Sequence, residues 1–168
     1  NLLDNLVAAN RILAGLGIVD GFGHVSARHP DHPDRFLISR SLAPELVTRD
    51  DIMELHLDGS PVGSDARKPY LERFIHGEIY RKRPDVQSVV HSHAPSVVPF
   101  TSSSIRLRPI CHMGSFLRNG VSVFEIRDRF KATDMLVTNP DQGAALADVL
   151  ATDTVVLMRG HGFCSVGQ

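Results

Sequence analysis

Two apolar runs in this chain end on histidine, and that pairing constrains the fold more than any bulk property. Val86-Gln-Ser-Val-Val90 leads into His91-Ser92-His93, and Thr154-Val-Val-Leu-Met158 leads into Gly160-His161-Gly162. Short apolar runs rich in β-branched residues read as buried strands, which need covering layers. Residues i and i+2 of a strand point to one face, so His91 and His93 aim at one point at the edge of a core. His161 takes an equivalent place after the second run, where flanking glycines permit close backbone approach. Spacing alone does not require the two places to converge, and a His-x-His pair standing alone is more often two hydrogen-bonded histidines than a metal site.

The remaining elements follow from periodicity and punctuation. Leu2, Leu3, Leu6, Val7 and Leu13 recur at helical spacing until Gly15 and Gly17 stop them. A glycine turn at Gly21-Phe-Gly-His24 enters a strand at 25–28, and further strands are predicted at 36–39 and 52–57, the latter with Met53, Leu55 and Leu57 on one face. Pro69 is predicted to open a helix with Leu71, Phe74, Ile75 and Ile79 as its buried stripe, placing Glu72 one turn in and His76 four residues on. Strands are also expected at 105–110 and 121–126, a capped helix after Thr138-Asn139-Pro140, and a last strand at 154–158. The expected fold class is α/β, with helical layers on both sides of a central mixed, largely antiparallel sheet. Residues 1–168 read as one domain. The start at Asn1 and the stop soon after the final strand suggest an excerpt lacking its extreme N-terminus and a closing segment beyond Gln168.

Composition narrows the partners. The chain is 42% hydrophobic and 22% charged with a formal net charge of −1, so no positive field draws it to nucleic acid or an anionic membrane. No apolar run approaches the ~20 residues that a membrane-spanning helix needs. The two cysteines, Cys111 and Cys164, exclude a disulfide-dense secreted scaffold, and the expected location is the cytoplasm. A small-molecule substrate is the expected partner.

Neutral imidazoles suit zinc and other divalent transition metals, and a catalytic site needs three protein ligands with one position open. Glu72 by itself reads as a solvated helix residue. The combined pattern is more specific. Pro69-Tyr-Leu-Glu72-Arg-Phe-Ile-His76, Arg83-Pro-Asp-Val-Gln-Ser-Val-Val-His91-Ser-His93-Ala and Arg159-Gly-His161-Gly resemble the class II aldolase/adducin family, in order and across essentially the whole chain. Gly23-His24-Val25-Ser26 resembles that family's Gly-Asn-Val-Ser element. The resemblance implies an α/β/α fold and one divalent ion per subunit held by His91, His93 and His161. It further implies Glu72 as acid/base or additional ligand, and a homotetramer with active sites near subunit boundaries. Three imidazoles and a carboxylate do not choose between zinc, manganese and magnesium.

The sequence departs from the sugar-phosphate aldolases where they bind phosphate. His24, Ser39-Arg-Ser41-Leu42 and Tyr70-Leu71 stand where that pocket uses an asparagine, a hydroxyl-glycine pair and small serines. Phosphate binding wants close backbone N–H groups and small hydroxyls, which Leu42 and Tyr70-Leu71 remove. His24, Ser26, Arg40, Ser41 and Tyr70 instead suit a planar carboxylate, with the Arg40 fork as its anchor and an aromatic face for a ring. A plain ion pair with Glu45 or Asp50 is the competing reading of Arg40. Phe36-Leu-Ile-Ser-Arg-Ser-Leu-Ala-Pro-Glu-Leu-Val47 and Val123-Phe-Glu-Ile-Arg127 resemble a branch containing decarboxylases of hydroxylated aromatic or pyridine carboxylic acids. His112 matches a family position near the metal. The expected function is a metal-dependent, non-oxidative decarboxylase of such an acid, with Glu72, His112 and His24 as candidate proton carriers. Retro-aldol cleavage, or a related dehydration or epimerisation, is the alternative, and a non-catalytic adducin-like assembly domain is the third reading.

Overall fold

A computed structural model gives the structure of the chain and describes residues 1–118 and 120–168. Seven strands form one sheet: β1 (His24–Arg28), β2 (Arg35–Ser39), β3 (Ile52–His56), β4 (Ser88–Ser92), β5 (Ser122–Phe124), β6 (Val155–Met158) and β7 (Gly162–Gly167). Their order is β3-β2-β1-β4-β7-β6-β5, antiparallel throughout except for the parallel β5–β6 pair at one edge. The mixed, mostly antiparallel sheet expected from the sequence is therefore present.

Helices α1 (Leu2–Gly15), α2 (Arg73–Lys82), α3 (Val98–Ser102) and α4 (Pro140–Leu150) complete the layers. Strand alternation sorts the core into two faces. Phe36, Ile38, Met53, Leu55 and Val89 point to one face, where they meet Ile75 and Ile79 of α2 and Leu146 and Leu150 of α4. Val25, Ala27, Leu37 and Ile52 point to the other, where Leu6 of α1 covers them. Each fully buried aliphatic chain contributes roughly 1.5–3 kcal/mol of transfer free energy. Residues 24, 26 and 28 of β1 thus face α2, which brings polar side chains of both elements together.

The N-terminus of α4 follows from its sequence. Asn139 caps it by accepting the Gln142 N–H, and Pro140 occupies the first turn, where no N–H is needed. At α2 the structure corrects the sequence reading. The helix begins at Arg73, with Glu72 in the N-cap position, while Pro69 makes an isolated bridge to Arg40. Leu71 is 57% exposed instead of lying on a buried stripe, because it precedes the first helical turn.

Three further expectations need correction. Residues 105–110 alternate like a strand yet pair with no strand among the described residues, and Ile105 and Ile110 are 67% and 98% exposed. The strand at 52–57 stops at His56, before Leu57. The final strand is β7 and not 154–158: Gly160-His161 is a hairpin turn, and Gly162–Gly167 folds back between β6 and β4. That return is what brings His161 beside His91. Among the described residues no helix is long and apolar enough to cross a membrane.

Candidate metal centre

His91 is the penultimate residue of β4, His93 follows one residue past the strand, and His161 sits in the β6–β7 turn. Gly160 takes a left-handed φ of 65° that closes this turn, a conformation glycine adopts without strain. Gly162 is needed for a second reason: a Cβ there would lie 2.3 Å from the Ser92 carbonyl oxygen and 2.9 Å from the His93 ring. The two strand ends can approach only because residue 162 has no side chain.

Glu72, His91, His93 and His161 each offer one donor atom, and these atoms all lie within 4.8 Å of one another. Glu72 Oε2 is 3.5 Å from His91 Nε2 and 3.4 Å from His161 Nε2, and the Nε2 atoms of His93 and His161 are 3.1 Å apart. The sequence-predicted quartet is thus assembled.

The outer nitrogens show what the inner ones do. His91 Nδ1 donates to the Phe163 carbonyl (3.1 Å), and His161 Nδ1 donates to the Met135 carbonyl (2.9 Å). His93 Nδ1 donates to the Asp20 carboxylate (3.1 Å). A neutral imidazole that gives its Nδ1 hydrogen away has a bare lone pair on Nε2. Three such lone pairs and a carboxylate oxygen converge, and His91 Nε2 is sealed with no hydrogen-bond partner. This pattern of outer carbonyl and carboxylate acceptors orienting inner imidazole nitrogens is that of metal-ligating histidines, so the residues fit a divalent cation.

Electrostatics agree with a cation-seeking site. Burial would raise the Glu72 carboxyl, yet His161 and His91 outweigh it and hold the group well below the usual carboxylate range. Its other oxygen accepts the Val137 backbone N–H (2.9 Å). Burial pushes the His91 imidazole down, against the pull of Glu72. For His161 burial also pushes down, but Glu72 prevails and the net direction is up.

The other sequence-predicted residues fall out differently. His24 lies opposite His91 in the β1–β4 ladder, its ring 5.0 Å from His91 and 4.5 Å from Tyr70. Tyr70 is buried against it, its hydroxyl donating to the Leu42 carbonyl. Arg40 is paired through Nε with Asp51 (2.6 Å), not with Glu45 or Asp50. Ser41 is exposed. Ser26, expected at the substrate, is instead fully buried and bonded to His76 and Tyr80, because its strand position turns it toward α2. His112 starts a short 3-10 segment (His112–Leu117), is exposed, and hydrogen-bonds none of the quartet.

Several contributors escape a sequence reading. Asp20 orients His93 while also accepting the Phe22 and Gly23 N–H groups, so one side chain shapes the glycine turn and the site. Its signal was the Asp three residues before Gly23, an Asx-turn pattern. Met135 and Val137 act through backbone atoms, which leave no trace in side-chain type. A cavity of about 880 Å³ lined by Phe100, Arg106, Arg118, Val123 and Arg159 includes none of the quartet. Donors converging this tightly leave room for an ion, not a void.

Comparison with known proteins is consistent with this geometry. The sequence profile described as Class II Aldolase and Adducin N-terminal domain matches residues 4–168. The decarboxylase tropJ of Talaromyces stipitatus is 45% identical over 89% of this chain and 61% of its own length. A 3,4-dihydroxyphthalate decarboxylase of Arthrobacter keyseri is 31% identical over 95% of this chain and 66% of its own. The solved structure of L-fuculose 1-phosphate aldolase from Glaciozyma antarctica superposes with a TM-score of 0.78 at 25% identity, covering 99% of this chain and 63% of that one. The chain thus spans roughly three fifths to two thirds of the length of these relatives.

Proposed function

We propose that this chain, which belongs to the class II aldolase and adducin family, carries the metal centre of a non-oxidative decarboxylase acting on an aromatic or pyridine acid with a hydroxyl beside its carboxylate. The observation that carries the reading is the 45% identity with decarboxylase tropJ over 89% of the chain, together with the assembled quartet. Relatives acting on a dihydroxyphthalate support the ring-bearing substrate.

A divalent cation bound by His91, His93, His161 and Glu72 supplies Lewis-acid stabilisation of negative charge on the substrate's oxygens. The chain's own residues do the rest. Glu72, held ionised by its histidine neighbours and tethered to Val137, serves first as an anionic donor. Asp20 and the Phe163 and Met135 carbonyls hold the imidazoles in the tautomer that ligation needs. Tyr70 and His24 form an aromatic wall beside the quartet against which a ring can lie. Arg40, which pairs with Asp51, and the exposed Ser41 are the side chains assigned to anchor the substrate carboxylate. After carbon dioxide leaves, the ring carbon takes a proton. Glu72, His24 and His112 are the groups assigned to that step, and with Glu72 engaged as a ligand the transfer passes to a histidine or to water. The assembly we propose is a homotetramer with active sites near subunit boundaries, and the exposed His112 is assigned to a neighbouring subunit's site as part of that proposal.

The test is a product assay on the metal-supplemented protein. Carbon dioxide release from ortho-hydroxylated benzoates and pyridine carboxylates supports the reading. Aldehyde formation from a ketose phosphate, with no carbon dioxide from any acid, replaces it by retro-aldol cleavage. A protein inert to both, and without metal, is an assembly domain.

A further inference from the structure

Four buried polar side chains beyond the quartet run in one line. Tyr80 Oη lies 2.8 Å from Ser26 Oγ, Ser26 Oγ lies 2.6 Å from His76 Nδ1, and His76 Nε2 lies 2.6 Å from His24 Nδ1. All four residues are buried to 1% exposure or less. The line starts in the core, where the Arg28 guanidinium sits 4.8 Å over the Tyr80 ring and Phe36 packs at 5.6 Å. It ends at His24, between Tyr70 and His91.

Each hydroxyl and each neutral imidazole has one hydrogen to give. His24 and His76 are 1% and 0% exposed and bond to each other and to Ser26, not to a carboxylate, so both rings are neutral. The direction of the line then decides which nitrogen of His24 carries the proton. If Tyr80 donates to Ser26, Ser26 donates to His76 Nδ1 and His76 Nε2–H donates to His24 Nδ1. Every hydrogen in the line then has an acceptor, and His24 must be protonated on Nε2.

The reverse direction sends a hydrogen from His24 Nδ1 down to Tyr80, whose own hydrogen then finds no acceptor among the described residues. If Tyr80 and His76 both donate to Ser26, the serine hydrogen is stranded instead. A sealed donor without an acceptor is what folded chains avoid. His24 Nε2 itself makes no hydrogen bond to the described residues and is not among the sealed unpartnered atoms, so it keeps a slight access to solvent in a residue that is otherwise buried.

We propose that Tyr80, Ser26 and His76 form a tautomer lock that presents His24 as an Nε2–H donor to an anionic carboxylate oxygen of the substrate. His24 then determines specificity for a carboxylate at this position, while the other three are positioning residues. His24 keeps its proton in this contact, which takes it out of the candidates for protonating the ring carbon and leaves that step to Glu72, His112 or water. The substrate half of the inference rests on the decarboxylase reading; the lock does not.

Nitrogen-15 spectra of the side-chain imidazoles in zinc-loaded protein test the lock without any turnover. The wild type is expected to show His24 protonated on Nε2 and bare on Nδ1. Ser26→Ala removes the hydrogen that sets the direction, so the Nδ1–H tautomer becomes populated, and Ser26→Thr restores the wild-type pattern. A His24 protonated on Nδ1 in the wild type overturns the lock, as does an Ser26→Ala spectrum identical to wild type. Salicylate added as a probe is expected to shift the His24 Nε2–H signal, and an unmoved signal with salicylate bound overturns the substrate contact alone. Absence of carbon dioxide release from every acid counts against the decarboxylase reading and leaves the tautomer result standing.

Discussion

His93 and His161 present Nε2 atoms to each other at 3.1 Å, while the Nδ1 of each is already committed to an acceptor outside the site. Two bare lone pairs at that separation repel, so a cation or a proton belongs between them. Without metal, the proton is held on His161, whose pKa is raised because Glu72 outweighs the effect of burial. Metal binding must displace it. Calorimetry in buffers of different ionisation enthalpy is expected to show up to one proton released per ion below the raised pKa, and fewer as pH rises through it. Binding without proton release at any pH would place the metal elsewhere.

Asp20 acts at one remove from the ion. Replacing the outer partner of a ligating histidine costs roughly 10–100-fold in metal affinity. Asp20→Ala is expected to lose affinity on that scale in a chelator competition. Asp20→Asn, which retains an oxygen for the Phe22 and Gly23 N–H groups, is expected to lose less. Equal losses would mean that the charged bond to His93, not the turn, is what matters, and no loss in either variant would contradict the role given to Asp20.

Gly162→Ala places a methyl 2.3 Å from the Ser92 carbonyl oxygen, where β4 and β7 must part to admit it. The expected destabilisation is about 1–3 kcal/mol, as for other overpacked sites. Metal affinity should fall further than stability, because His93 adjoins the clash. Denaturant midpoints with and without metal read both effects.

The buried histidines set an acid limit on stability. His76 is depressed to about 3 by burial and then by the His91 charge, and burial also depresses His24 and His91. A depressed folded-state pKa gives stability that is complete above the unfolded value and is lost as pH falls through the window below it. Chelator-treated protein should therefore lose stability as pH falls from about 6.5 toward 4, by on the order of a few kcal/mol. Glu72 adds a loss of the same sign below the ordinary carboxylate range, whereas His161, shifted upward, opposes it by favouring the folded state at low pH. His76→Gln is expected to flatten the slope between pH 6.5 and 5 in urea titrations, and an unchanged slope would contradict the assignment.

The legible parts of this molecule were those written in side-chain type along a single segment. Apolar strands ending on His91 and His161, the glycines around His161 and the Asn139 cap all announce themselves locally. The line from Tyr80 to His24 did not, because its members are 50 or more residues apart across β1 and α2 and only the β1 register joins them. Met135 and Val137 contribute backbone atoms, which any residue could supply. Strand β7 was missed because glycines at both ends read as loop, although they are what let it lie between β4 and β6. Residues 105–110 failed in the opposite sense, since alternation is worth nothing without a neighbouring strand to pair.

Metal content measures the central claim most directly. Protein purified without chelator, or reconstituted and then desalted, is expected to hold one zinc, manganese or other divalent ion per chain, and His91→Ala is expected to hold none while keeping its secondary structure. A wild-type protein that retains no stoichiometric divalent metal under either condition contradicts the account, whatever acids it is later found to bind.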